Sequence, residues 1–178
     1  MAKTKISIGV RFIIFATTLA AALTMLSTTQ MVHMKDGYTF LPSYKNSNNG
    51  YSFKATYKNW NSFQFFIAVN FLGAAYNLLV IILPDGSRLW KLVVVLDMVI
   101  TMVLVASCAA ALETYALLKN GNIQASWQPI CRFVPIFCAK ALGAIVTCIC
   151  GLFTNTLLLF YSFHIIFNPL LIKPEDDN

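Results

Sequence analysis

Four long apolar stretches divide the chain, at residues 8–28, 63–83, 92–112 and 139–167, with polar segments between them. A helix needs about 20 mostly apolar residues to cross the hydrocarbon core of a bilayer, and each stretch reaches that length. The runs are apolar all round, without the alternating segments of about ten residues that a membrane barrel requires. Backbone groups surrounded by lipid must find partners within their own segment, which selects helices. The pattern predicts an all-α membrane protein, one four-transmembrane-helix bundle with loops at 29–62 and 113–138 on one side and both termini on the other. The last stretch is the longest and predicts a helix that tilts or runs past the interface. One competing reading concerns the first stretch. Lys3, Lys5 and Arg11 ahead of an apolar run, with Ser27 and Thr28 after it, also fit a signal peptide, whose removal would leave three helices.

The 29–62 loop has a pattern of its own. Tyr51, Phe53, Ala55 and Tyr57 alternate with Ser52, Lys54, Thr56 and Lys58, the period of two expected of a strand with one apolar face. Residues 37–41 alternate more weakly, and 46–50 supply turn formers between the two runs. A small β-hairpin follows from this pattern. An isolated hairpin is marginal in water, so it must rest on the helix ends or on a partner, and a flexible loop is the alternative.

Composition agrees with a membrane protein. Hydrophobic residues make up 58% of the 178 residues and charged residues 11%, against roughly a quarter charged in soluble domains. The length suits one domain. The net charge of +6 is scattered between apolar blocks. It forms no patch for nucleic acid, and the expected neighbours are membrane lipids. Counting charge does not orient the bundle, because Lys3, Lys5, Arg11, Arg88, Lys91 and Lys173 on one side nearly balance Lys35, Lys45, Lys54, Lys58, Lys119 and Arg132 on the other. The amino-terminal tail and the 84–91 loop are short and basic, which favours the cytosol for that side. Cys131 and Cys138 share the 113–138 loop, and a disulfide between them needs an oxidising compartment. Together these features place both termini in the cytosol. Cys108, Cys148 and Cys150 lie inside apolar blocks and read as packing residues. Neither outer loop holds an Asn-x-Ser/Thr acceptor. Trp60 and Trp90 flank the second and third stretches, where amphipathic rings favour the interface.

Charge inside a membrane is costly, which singles out Arg11 and Asp97. Each lies a few residues into its helix from the same side, so both sit at similar depth and can pair. Arg11 alone could snorkel to the interface; the shorter Asp97 could not. Small residues at four-residue spacing, Ala16 and Ala20 with Thr24 and Thr28 in the first helix and Gly143, Thr147, Gly151 and Asn155 in the fourth, predict close helix packing within or between subunits. Asn70 and Asn77 on the second helix can hydrogen-bond across the bundle. Glu113 and Tyr115 fall at the outer end of the third helix, and His164 near the inner end of the fourth. The acidic residues of 175–177 read as a solvated tail. His33 and His164 lie on opposite sides of the membrane. With no CxxC pair, phosphate-binding glycine loop or HExxH helix, no catalytic residue, metal site or cofactor is expected.

The runs Asn120-Gly121-Asn122, Ala125-Ser126-Trp127-Gln128-Pro129-Ile130-Cys131 and Phe137-Cys138 resemble those of the CASP-like proteins, relatives of the Casparian strip membrane domain proteins of plants. The helix-two stretch Ala68-Val69-Asn70-Phe71-Leu72-Gly73-Ala74-Ala75-Tyr76 is similar as well. Arg11 and Asp97 match an arginine and an aspartate that this family typically carries. The resemblance covers nearly the whole chain, is most specific over 127–138, and is closest to the first CASP-like subfamily. It implies a MARVEL-related tetraspan with cytosolic ends. The implied function is a plasma-membrane scaffold, and not an enzyme, that self-associates or assembles with related tetraspan proteins and organises partner proteins. The first outer loop lacks the Glu-Ser-Leu-Pro-Phe-Phe-type signature of the true Casparian strip proteins, which argues for a paralogue with its own tissue and partners. The rival reading from the residues is a small transporter or channel subunit, with Arg11, Asp97, Asn70 and Asn77 lining a path; an adhesion role draws on fold analogy alone.

Overall fold

The computed structural model describes residues 5–34, 44–46, 50–83, 90–122, 124 and 127–167. Its helices are α1 (Lys5–Leu26), α2 (Asn61–Ile82), α3 (Trp90–Asn120) and α4 (Pro135–Phe167). All four are long and apolar enough to cross a membrane. The protein is thus an all-α, four-span membrane protein. Between α1 and α2 lie β1 (Thr29–Met34), β2 (Tyr44–Asn46), β3 (Gly50–Thr56) and a 3-10 turn (Tyr57–Asn59). A second 3-10 turn (Ile130–Arg132) precedes α4.

The helices form a ring. α1 packs on α2 and α4, and α3 packs on the same two, so α1 and α3 face each other across the bundle axis. Each helix turns a face of three- and four-residue spacing inward: Arg11, Ile14, Thr18, Ala21 and Met25 on α1, and Phe63, Phe66, Asn70, Gly73 and Asn77 on α2. The outward faces are apolar too, with Phe12, Leu79, Val95, Met102, Phe153 and Phe160 exposed as suits residues that meet lipid.

The helices shift by a few residues from the sequence reading, α4 beginning at Pro135, four residues before 139, and the largest difference is at the end of α3. α3 continues eight residues past 112, to Asn120, because the apolar count measures the hydrocarbon crossing and a helix need not stop at the interface. It ends at Gly121, whose φ of 71° is left-handed backbone and whose N–H donates to the Leu117 carbonyl at 2.8 Å, an αL cap. Lys119 in the last turn complements the helix dipole. Glu113 is exposed, whereas Tyr115 packs against the core.

The expected hairpin is a three-stranded antiparallel sheet in the order β1-β3-β2. Residues 46–50 do join two strands, β2 and β3, while 37–41 lie outside the described residues. The longer partner of β3 is β1, paired from Thr29↔Thr56 to Met34↔Tyr51. β1 has weak alternation of its own, and its extended form comes from this pairing. Phe53 and Ala55 point from β3 into the core, while Tyr57 leaves the strand for the 3-10 turn. The sheet is tied to the bundle by Gln30, whose Oε1 accepts the Phe137 N–H at 2.9 Å. That N–H belongs to the first turn of α4 and has no partner within the helix. Trp60 stacks against Phe63 and Phe137, with centroids 5.8 and 5.2 Å away, and closes the core below the sheet.

The small residues divide between two environments. A step of four residues turns a helix by about 40° beyond a full circle, so a stripe at that spacing drifts around it. Gly151 lies inside, where an added Cβ would sit 2.7 Å from Thr17 Oγ1. Asn155 is also buried. Gly143 faces open space, Thr147 is half-buried, and Ala16 and Ala20 are exposed on α1. The last three alanine and glycine positions, Ala16, Ala20 and Gly143, therefore do not pack within the bundle. Gly151→Val should lower stability by about 1–3 kcal/mol through overpacking of α1 on α4, read as a fall in melting temperature in detergent. Gly143→Ala should be neutral or stabilising by up to about 1 kcal/mol.

Candidate functional site

Five of the buried polar side chains, Arg11, Asn77, Asp97, Thr101 and Asn155, gather toward the end of the bundle where α1 begins. Arg11 on α1 and Asp97 on α3 form a two-pronged ion pair across the axis, Nη2 to Oδ2 at 2.6 Å and Nη1 to Oδ1 at 3.1 Å. Their side chains are 5% and 3% exposed. The planar guanidinium matches the carboxylate with two parallel bonds, the strongest form of this contact. The pair lies on the diagonal of the ring, so it spans the bundle and does not clip two neighbouring helices together.

Asp97 is held from two further sides. The Tyr76 hydroxyl on α2 donates to Asp97 Oδ1 at 2.7 Å and has the Val93 carbonyl at 2.9 Å. Asn77, one residue on, donates its Nδ2 to the Gly73 carbonyl at 2.9 Å and presents Oδ1 to Arg11 Nη1 at 3.5 Å. On α3 the Thr101 hydroxyl donates to the Asp97 carbonyl at 2.5 Å and accepts from Asn155 Nδ2 on α4 at 2.6 Å. All four helices therefore contribute to one hydrogen-bonded layer. Tyr76 and Thr101 carry no warning in the sequence, since both residue types are ordinary in membrane helices. Their spacing from Asn77 and Asp97 is the only cue.

Asn70 does not join this layer. It lies seven residues outward from Asn77, fully buried, with Nδ2 donating to the Phe66 carbonyl at 2.9 Å. Between the two levels Leu104 packs on Gly73, where an added Cβ would meet Leu104 Cδ1 at 3.4 Å. Arg11 Nε and Asn70 Oδ1 are the buried side-chain polar atoms without a hydrogen-bond partner among the described residues.

The opposite end of the bundle carries the second candidate feature. Cys131 and Cys138 form a disulfide with their Cα atoms 5.6 Å apart, joining the 3-10 turn to the first turn of α4. Upstream, Asn122 and Trp127 pair as an antiparallel bridge, N–H to carbonyl at 3.0 and 2.8 Å. A side chain at Gly121 would overlap the Trp127 carbonyl, so only glycine fits this crossing. The Trp127 indole itself is 54% exposed. His164 is exposed on α4, and among the described residues no group of three or more His, Cys, Asp or Glu side chains could hold a metal.

A four-span bundle with an internal charge pair and a disulfide-braced outer loop defines the class, and comparison with known proteins gives the family. Residues 1–154 match the Casparian strip membrane protein domain. CASP-like protein 1C2 of Populus trichocarpa is 36% identical over 96% of this chain and 97% of its own length. CASP-like protein 1C1 of Arabidopsis thaliana is 43% identical over 63% of this chain and 68% of its own length. CASP-like protein 1C3 of Populus trichocarpa is 34% identical over 96% and 92%. The chain belongs to the Casparian strip membrane protein family and is a CASP-like, multi-pass membrane protein. No solved structure matches it.

Removing one member of a buried pair strands the other charge, so Asp97→Asn and Arg11→Gln should each cost about 3–5 kcal/mol. Tyr76→Phe removes one bond to a charged acceptor and should cost about 1.5–3 kcal/mol. Melting temperature and yield of folded protein in detergent report these losses. The exchange Arg11→Asp with Asp97→Arg should recover part of the stability that either single change removes. Reducing the Cys131–Cys138 bridge should cost about 2–3 kcal/mol for a loop of this length, seen as a lower melting temperature in reductant.

Proposed function

We propose that the chain is a plasma-membrane scaffold, with cytosolic termini and its sheet and disulfide loop outside the cell. The observation that supports this reading is the closed interior. The polar layer around Asp97 directs its hydrogen bonds to itself, with Arg11 Nε alone left over among its described side-chain atoms, and Leu104 seated on Gly73 separates it from the second polar level. A bundle cross-tied in this way is suited to rigidity and poorly suited to passing a solute. The chemistry available to partners is then at the outer end, where the β-sheet, the bridge between Asn122 and Trp127, and the disulfide hold a defined surface. Membership of the Casparian strip membrane protein family is compatible with the same role. Self-association in the membrane would use the small residues on the outer surface of the bundle, Ala16 and Ala20 on α1 and Gly143 on α4, where a second helix can approach closely.

A scaffold should recover slowly after photobleaching and migrate as an oligomer in mild detergent. Gly143→Leu combined with Ala20→Leu should speed recovery and reduce the native size, with the melting temperature of the monomer little changed. Fast, complete recovery and a monomeric native size for the unaltered protein would reject the scaffold. A solute flux in reconstituted vesicles that Leu104→Asn raises and Asp97→Asn abolishes would instead establish transport.

A further inference from the structure

The second polar level holds a pair of thiols that the ion-pair layer does not use. Cys108 on α3 and Cys148 on α4 are both free and both buried. The helix register places them opposite each other. Thr101 and Asn155 are bonded across the same seam, α3 and α4 run antiparallel, and each cysteine lies seven residues outward from its member of that pair. Seven residues are about two turns, so both thiols return to the seam roughly 10 Å further out. There they are within hydrogen-bonding reach of one another, and Cys148 is in reach of Asn70 as well. Asn70 is 0% exposed, and its Oδ1 has no hydrogen-bond partner. A fully buried amide with an acceptor still unpartnered, in reach of one of two neighbouring thiols, marks a place where a further polar group can be held.

We propose that Cys108 and Cys148 are a modification site: a thiol pair that a hydroperoxide able to enter hydrocarbon oxidises to a disulfide joining α3 to α4. Thiols in apolar surroundings ionise poorly, so the route that fits keeps every species neutral. One thiol sulfur attacks the terminal peroxide oxygen and the O–O bond breaks. The sulfur becomes a sulfenic acid, and the thiol proton goes to the departing oxygen, giving the alcohol. The second thiol then displaces the sulfenic oxygen as water, its own proton leaving with that water, and the S–S bond forms. Two thiols and one hydroperoxide give one disulfide, one alcohol and one water. The sulfurs lose two electrons and the peroxide gains them. Asn70 acts as a positioning residue: its side-chain amide, in reach of Cys148, donates to the sulfenic oxygen and holds the intermediate against the second thiol. Closing the bond brings the sulfurs from hydrogen-bonding reach to bond length. Together with the Thr101–Asn155 bond it would fasten the α3–α4 seam at two heights.

The test uses the full chain in lipid nanodiscs, treated with cumene hydroperoxide and read by mass spectrometry without reduction. Cys150, exposed on the lipid side of α4, is the internal reference. The Cys108–Cys148 linked peptide should exceed the Cys108–Cys150 and Cys148–Cys150 products by about tenfold or more, since a sulfenic acid condenses with the thiol within reach. Asn70→Leu should lower that yield by about threefold and shift product toward sulfinic acid, while iodine still links the same pair. Linkage by iodine shows that the variant keeps the fold. The proposal is overturned if Cys150 oxidises while Cys108 and Cys148 stay reduced, or if each of the two ends as a separate sulfinic acid. An unchanged peroxide yield in Asn70→Leu removes the positioning role.

Discussion

A carboxylate inside hydrocarbon is tolerated only if the protein supplies what water would have given it. Asp97 imposes that condition on the whole bundle. Its charge is met by Arg11, its second oxygen by the Tyr76 hydroxyl, and its backbone carbonyl by Thr101. Those partners sit on three helices, and Thr101 recruits the fourth through Asn155. The helices cannot rotate or slide appreciably without exposing a charge to lipid. Dispersion packing alone would set the depth and rotation of such helices loosely, because lipid tails are as apolar as leucine. The ion pair makes the native arrangement much lower in energy than its neighbours, whatever its net contribution to stability, which burial costs reduce.

The diagonal placement of that pair explains the distribution of residues around it. α1 approaches α2 and α4 closely, using Gly151 and the alanines at 21 and 22. α3 is reached by longer side chains: the arginine from α1, the tyrosine from α2, the asparagine from α4. The polar residues recur seven apart on these helices, Asn70 and Asn77, Thr101 and Cys108, Cys148 and Asn155. A heptad returns a side chain to nearly the same face, as in left-handed bundles. Polar side chains thus stack at two heights, with the Leu104–Gly73 contact between them.

The outer end is built on a different principle. There water can satisfy the backbone, so order must come from covalent closure and strand pairing. The sheet rests on the core through Phe53 and Ala55, Gln30 caps the start of α4, and the disulfide fixes where that helix enters. Gly121 lets the chain cross its own carbonyl, and the outcome is an indole displayed on a fixed loop.

The number and extent of the crossings were legible in the sequence because hydrocarbon thickness is a length, and a run of apolar residues measures it directly. Arg11 and Asp97 stood out for the same reason: charge in such a run is rare. The period-two run at Phe53 and Ala55 marked a strand, since alternation is local. What the sequence could not carry was most of what depends on which helices are neighbours. It could pair the first helix with the third through Arg11 and Asp97, but it could not say that the two stand on a diagonal, that Tyr76 and Thr101 complete the aspartate's shell, that β1 pairs with β3, or that Ala16, Ala20 and Gly143 face outward while Gly151 is covered. Those outcomes follow from rotation of each helix about its axis and from pairing across long sequence separations. Both are decided only when the buried charges and most buried polar groups must find their partners at once.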